Sequence, residues 1–430
     1  HALRLQIPPH IPQIARHFGQ RKFGRFIHRQ PDNIAATPGI AQGVDKRGLK
    51  RPGCGDQGGD KHGNLDFAIR GCHSAAVAGV PVGGRGQVGA TQLARRLGGA
   101  EFDPHHLLLP GQVSGSGRQC GTSGHFRGQI AGALPKIGRM NLGYFADSRG
   151  RIVTEVTIIR WGEDDFWLMT AAVAQWHDFE FLRDRLADGL TMTDITGEWS
   201  TMIVSGAKSR DLLSGIAEAD WGLGWLTIQD GTIGGKPAKF FRINFGGELG
   251  WEVYVSADQA GHVFETLHAA GQDMGLTLCG MHMMDNCRIE KGFRHFGHDI
   301  TCEDHVIDAG LGFAVKLDKG CDFIGRAAVA ERKESGPHNR LLQFRLTDPE
   351  PLLFHNEPIL RDGECVGYLS SGNYGHTLGA AIGLGYVPCK GEAAADVLAS
   401  TYEIDVCGTR VRAEVSLKPL YDPKSERVKA

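Results

Sequence analysis

What most limits the architecture open to this chain is a break in its chemistry just before Leu134. Residues 1–132 contain none of the 8 methionines, 7 tryptophans or 7 tyrosines, yet hold 25 of the 61 glycines. They carry 17 Lys and Arg against 7 Asp and Glu, a formal +10, whereas residues 133–430 carry 30 against 42, a formal −12. Gly, Pro, Gln and Arg interrupt every apolar run of the first segment, and only short pieces such as Gln92 to Leu97 look helical. A core needs large apolar side chains at regular spacing, so residues 1–132 are expected to be irregular or disordered. The opening His1 and the abruptness of the change lead to a sharper expectation, that this stretch is a translation in the wrong frame or from a misplaced start. A basic arm for nucleic acid is the competing reading. Phe is its only aromatic residue and it has no dense Lys/Arg block, so no nucleic acid is expected as a partner.

Two further features of composition narrow the function. No apolar run reaches the roughly 18 residues of a membrane helix, and the first thirty residues alternate His, Arg and Gln where a signal peptide would be apolar. No membrane partner and a cytoplasmic location are therefore expected. The 10 cysteines form no C-x-x-C pair and read as reduced thiols. Gly84 to Gly89 matches G-x-G-x-x-G with Asp103 further on, but Pro81 interrupts the strand that a dinucleotide site requires. His282, His295, His298 and His305 crowd one region without a helical H-x-x-x-H or a cysteine pair, so no metal is expected.

Beyond Leu134 the pattern is that of an ordered α+β protein. Arg151 to Arg160 is rich in β-branched residues and reads as a strand, with Asp165 to Ala172 its hairpin partner. A helix is expected over His177 to Ala187, then a strand at Thr201 to Val204 leading into a helix at Ala207 to Ile216. Phe240 to Phe245 and Trp251 to Val255 bracket the glycine turn 246–250. Ser256 and Gln259 suggest a reciprocal cap for a helix that buries Val263, Phe264 and Leu267. A further helix from about Gly280 to Lys291 meets a C-cap at Gly292. Glu334 to Pro337 reads as a linker, after which strands dominate, with turns at Asp362-Gly363 and Cys407-Gly408-Thr409. The expected domains are 1–132, 133–334 and 335–430.

Several segments in order then resemble the folate-dependent aminomethyltransferases, the family of glycine-cleavage T-proteins. They are Asn141 to Phe145 with Arg149 to Val153, Gly247 to Glu252, Arg288 to Gly292, Lys316 to Gly320 with Asp322 to Arg326, and Ser371 to His376. Gly247 to Glu252, the Asp318 to Arg326 run and Pro419 to Pro423 look closest to the dimethylglycine and sarcosine dehydrogenase branch. The resemblance implies a folate-binding core of αβ subdomains followed by a small C-terminal β-barrel. It also implies some fifty to a hundred residues of strand and helix before Asn141, a typical small subdomain, which the pattern of residues 1–132 does not supply. The folate-binding domain is thus expected to be N-terminally incomplete.

The implied activity is transfer of a methylene or aminomethyl unit from a methylated-amine donor, such as a dimethylglycine- or sarcosine-derived imine, to tetrahydrofolate, giving 5,10-methylenetetrahydrofolate. FAD would enter only through a partner oxidoreductase chain. Folate-dependent demethylation of an S- or O-methyl compound and a non-catalytic, folate-binding regulatory protein are the alternatives. A cationic one-carbon donor calls for a fixed carboxylate beside the reacting carbon. Glu155 falls where the family places that carboxylate, usually an aspartate; otherwise it is an outward-facing charge on a half-buried strand. Glu252 falls where relatives hold the amidine edge of the pterin through paired hydrogen bonds, the alternative being an edge-strand charge. Thr157, on the same strand face as Glu155, is a pterin-contact candidate, and Phe245 falls where relatives often carry Tyr. Arg288 matches an arginine for the acidic tail of folate, or else pairs with Glu290 or Asp285 on a helix surface. Tyr421 is expected to close over the site from the barrel.

Overall fold

The computed structural model describes residues 108–115 and 130–430 of the chain. Leu108–Gly115 forms β1, Arg139–Ala146 β2, Ile152–Arg160 β3, Asp165–Ala171 β4 and Leu190–Asp194 β5, an antiparallel sheet in the order β2-β3-β4-β1-β5. Asp147 shapes the β2–β3 turn by accepting the N–H groups of Arg149 and Arg151, each at 2.9 Å, and Gly150 supplies the left-handed φ of +76°. One face of this sheet, with Val156, Ile158, Phe166 and Leu168, packs with Leu182 of α1 (Gln175–Arg183).

The next stretch builds a second sheet from β6 (Trp199–Ser205), β7 (Ala217–Glu218), β8 (Ile228–Ile233), β9 (Lys236–Phe241) and β10 (Gly250–Ser256), in the order β6-β10-β9-β8-β7. Two helices, α2 (Ser209–Ile216) and α3 (Ala260–Gly271), cover one face of it. The period of two decides which residues face which way. Trp251, Val253 and Val255 join Leu213, Val263 and Leu267 under the helices, while Tyr254 and Phe241 join Ile159, Trp167 and Met169 of the first sheet. The two sheets therefore share a core, and Glu252, in phase with Tyr254, belongs to the shared side.

Helix α4 (Met281–Glu290), residues 293–311 and α5 (Arg326–Ser335) lead into a closed six-stranded barrel of β11 (Asn339–Leu346), β12 (Pro358–Arg361), β13 (Glu364–Gly375), β14 (Ala380–Pro388), β15 (Tyr402–Val406) and β16 (Thr409–Ser416), in the order β11-β14-β13-β12-β15-β16. A short helix, α6 (Ala394–Ala399), adds Val397 to the barrel core. The turns expected at Asp362-Gly363 and Cys407-Gly408 form, each with two consecutive positive φ angles. Gly292, at φ +64°, ends α4, with the Phe293 N–H returning to the Arg288 carbonyl at 2.8 Å. The result is an α+β fold ending in a small β-barrel. Among the described residues no helix is long and apolar enough to cross a membrane.

Three local expectations fail. Residues 1–132 were given no strand, yet β1 lies between β4 and β5, and Ile130 and Ala131 are fully buried. Pro110 and the glycines at 111 and 115 hide any alternation, so this strand is specified by pairing with β4 from far along the chain. The glycine motif at Gly84 to Gly89, Asp103 and the reading-frame expectation lie outside the described residues. The strand expected over Phe240 to Phe245 ends at Phe241, because Arg242 crosses to Thr227 and Asn244 Oδ1 takes the Gly246 N–H at 2.8 Å, bending the chain out of the sheet. Finally, Ser256 does not cap α3. Its hydroxyl donates to Asp258, and Gln259 donates to the same carboxylate at 2.7 Å.

Candidate functional site

The site grows from the β2–β3 ladder. Val156 and Ile158 turn under α1, so Glu155, Thr157 and Ile159 turn the opposite way, toward the second sheet. Glu155 thus stands on an inner face and is not an outward charge. Its direct cross-strand partner is Tyr144, which is 1% exposed and donates its phenolic hydrogen to Glu155 Oε2. Burial pushes the Glu155 carboxyl up to about 7, against the opposing pulls of the Tyr144 hydrogen bond and the positive charge of Arg294. A carboxyl balanced there can hold or release a proton at neutral pH.

On β10, Glu252 is 3% exposed and packed among the aromatic residues shared by the two sheets. The Tyr254 hydroxyl donates to Glu252 Oε2 at 2.8 Å, and among the described residues nothing donates to Oε1. Burial pushes this carboxyl up to about 7 as well, the Tyr254 bond only partly offsetting it. Glu252 is therefore no edge-strand charge, since β10 is paired on both sides, to β6 and β9. The same Tyr254 oxygen lies 3.5 Å from Met169 Sδ, and Met169 pairs with Thr157 across the β3–β4 ladder. The two carboxylate-bearing strands are in this way coupled through one tyrosine and one methionine. Thr157 itself is buried beside them.

Phe245 sits in the loop that leaves β9, its ring stacked on Phe293 at 6.1 Å and edge-on to His295 at 6.3 Å. Arg288 is only 2% exposed, so it is not a helix-surface residue. It donates to Asp285 at 2.8 Å, to Asp299, to Ser371 Oγ at 2.8 Å and to the Phe293 carbonyl at 3.3 Å. The expected Asp285 pair forms. Glu290 instead accepts the Thr377 and Leu378 N–H groups from the barrel, at 2.7 and 3.0 Å. Tyr421 donates to Glu248 in the glycine turn next to Phe245, and its N–H reaches the Glu290 carbonyl at 3.3 Å. Lys291, fully buried, meets Asp422 at 2.8 Å. The chain after the barrel is thereby clamped to the glycine turn and to the end of α4. Of the four crowded histidines, His295 and His298 pack ring on ring at 4.6 Å, and among the described residues no cluster of three or more His, Cys, Asp or Glu is placed to hold a metal ion.

Sequence reasoning missed Tyr144 and Arg294. Tyr144 was quoted only as part of a motif, although its register opposite Glu155 follows from counting outward from the Asp147 turn. Arg294 carries no local signal, because residues 293–311 bring it to Glu155 only in the folded chain.

Two family models match: the GCVT N-terminal domain over residues 130–319 and the glycine cleavage T-protein C-terminal barrel domain over residues 339–422. An aminomethyltransferase of Symbiobacterium thermophilum is 31% identical, over 66% of this chain and 77% of its own length. A 4-methylaminobutanoate oxidase (formaldehyde-forming) of Paenarthrobacter nicotinovorans is 39% identical over 66% of this chain, and human mitochondrial dimethylglycine dehydrogenase 28% over 68%. In both cases this chain spans only 34% of the relative. In structure the chain is similar to the glycine cleavage system aminomethyltransferase T of Bartonella henselae, with a TM-score of 0.66 over 75% of this chain and 86% of the other, at 21% identity.

Proposed function

Because this chain belongs to the glycine-cleavage T-protein family of aminomethyltransferases, we propose that it transfers a one-carbon unit from a methylated-amine donor to tetrahydrofolate, giving 5,10-methylenetetrahydrofolate. The observation that carries the proposal is Glu252, a buried carboxylate with one oxygen fixed by Tyr254 and the other receiving no hydrogen bond from the described residues. A carboxylate oxygen in that state, at the end of a side chain packed among apolar neighbours, fits a ligand with adjacent N–H donors, as on the amidine edge of a pterin. Bound tetrahydrofolate supplies the nitrogen nucleophile.

The chain's own residues then divide the work. Glu252 orients the pterin edge, and Thr157 lines the strand beside it. Phe245, backed by Phe293, offers a flat apolar surface where relatives have a hydroxyl. Glu155 favours positive charge on the one-carbon donor and holds or accepts the proton of the attacking nitrogen. Arg288, whose place against the acidic folate tail comes from the resemblance, also holds Asp299 and the Phe293 carbonyl, and so fixes the segment that carries Arg294. Tyr421 and Glu248 close the turn from the barrel side. The folate-binding part is assigned to residues 133–334 and the barrel to 335–430, with oxidation of the amine left to an FAD-dependent partner.

The test is product formation with sarcosine, dimethylglycine and 4-methylaminobutanoate, each supplied with an FAD-dependent amine oxidase. Wild type is expected to convert tetrahydrofolate to the methylene form faster than the uncatalysed background, and Glu155→Gln to lose that gain by a factor of about 100 or more. A Glu155→Gln protein as fast as wild type contradicts the assignment.

A further inference from the structure

Glu155 is longer by one methylene than the aspartate usual at its place, and a longer arm has more rotamers to lose before it can act. The structure contains what limits them. Tyr144 lies directly opposite Glu155 in the ladder and donates to Oε2, leaving Oε1 without a hydrogen bond from the described residues. The phenol is itself immobilised, since its ring packs in a cluster with Ile152, Phe296, Val306 and Leu311. The second group is Arg294, whose charge acts on Glu155. Its guanidinium is held by two backbone carbonyls, Gly292 at 3.0 Å and Ala309 at 3.2 Å, and forms no salt bridge among the described residues. Room for it comes from Gly310, where a Cβ would lie 2.9 Å from the guanidinium on a backbone at φ +70°. A cation fastened to carbonyls keeps its charge uncommitted, and Arg294 acts electrostatically on both Tyr144 and Glu155.

Resting on the reading of Glu155 as the reacting carboxylate, we infer that Tyr144 and Arg294 are its positioning residues: the phenol fixes Oε2 and the guanidinium supplies the counter-charge, so that Oε1 is presented to the donor. The charged and titratable groups around the carboxylate are Tyr144 from β2 and Arg294 from residues 293–311. Tyr386 of β14 acts electrostatically on those two in turn, its hydroxyl buried without a hydrogen-bond partner among the described residues. Both positioning groups favour the ionised carboxylate, the first by a hydrogen bond and the second by its charge. Removing either should therefore displace the Glu155 titration to higher pH, and each pH unit of displacement cuts the ionised fraction at neutral pH by up to about tenfold.

The experiment reads Glu155 itself. The full chain is labelled with glutamate carrying 13C at Cδ, the Glu155 resonance is identified by its loss in Glu155→Gln, and its titration is followed by NMR. The expected result is a midpoint near 7 in wild type, moved upward in Tyr144→Phe and in Arg294→Met, with unchanged affinity for tetrahydrofolate. In the Glu155→Asp background, labelled instead with aspartate carrying 13C at Cγ, the shorter arm ends short of the phenol and Tyr144→Phe should move the titration of the corresponding aspartate little. A Tyr144→Phe protein that folds with an unshifted Glu155 midpoint overturns the inference, even if Glu155→Gln is inactive. If Glu155→Gln keeps full transfer activity while the midpoints shift, the positioning stands and the reaction assigned to Glu155 falls.

Discussion

Glu252 shows how much one residue can weigh against the fold that holds it. Its carboxyl titrates near 7 inside the protein against an ordinary 4.5, so the folded state binds a proton that the unfolded chain has already lost. Stability contributed by the protonated form is complete below about pH 4.5 and is lost as pH rises through about 7, amounting to roughly 3 kcal/mol. Glu155, whose carboxyl burial also pushes up to about 7, works in the same direction. Glu252→Gln, which keeps the shape without the charge, is expected to raise Tm near pH 8 and to flatten the fall in Tm between about pH 5 and pH 8. Thermal unfolding at the two pH values checks this, and a variant whose Tm follows wild type would place the Glu252 titration elsewhere. Both carboxylates were singled out by the family resemblance, and strand phase alone accounts for their place on inner faces. Tyr254, which holds Glu252, lies two residues away on the same strand and could have been found by the same count.

At the scale of elements, the sequence marked helices and hairpins where glycine or a β-branched run speaks locally, and misjudged them where distant partners decide. Strand β1 and the early exit of β9 at Phe241 are of the second kind, the one set by pairing with β4 and the other by Asn244 and Thr227. The join between α4 and the barrel was legible only in part. Arg288 was visible, but Asp299 and Ser371, its partners 11 and 83 residues away, were not. Arg288→Met strands the buried Asp299 carboxylate without its cation and should cost about 3–5 kcal/mol. Adding Asp299→Asn should recover part of that loss, because the uncompensated charge is gone. Urea unfolding of the single and double variants measures this, and strictly additive losses would mean that the pair is not coupled. A smaller test lies in the turn. Gly247, at φ +77°, has Lys291 Cγ 2.7 Å from where a Cβ would stand, so Gly247→Ala should destabilise the clamp between this turn and α4 by about 1 kcal/mol or more.

For the molecule as a whole, the residues proposed for the reaction come from parts far apart in the chain: Glu155 from the first sheet, Glu252 from the second, Arg288 and Arg294 from around α4, and Tyr421 from beyond the barrel. The family resemblance made that convergence readable before any geometry, while composition alone would have stopped at an α+β protein with a basic N-terminal segment. The claim on which everything else depends is that this convergence binds folate. Calorimetric titration of the full chain with tetrahydrofolate, wild type beside Glu252→Ala, tests it most directly. Binding by wild type that strengthens as pH rises through about 7, and that is lost in a folded Glu252→Ala protein, is the expected result. Equal affinity in the two proteins, or no binding by wild type, would contradict it.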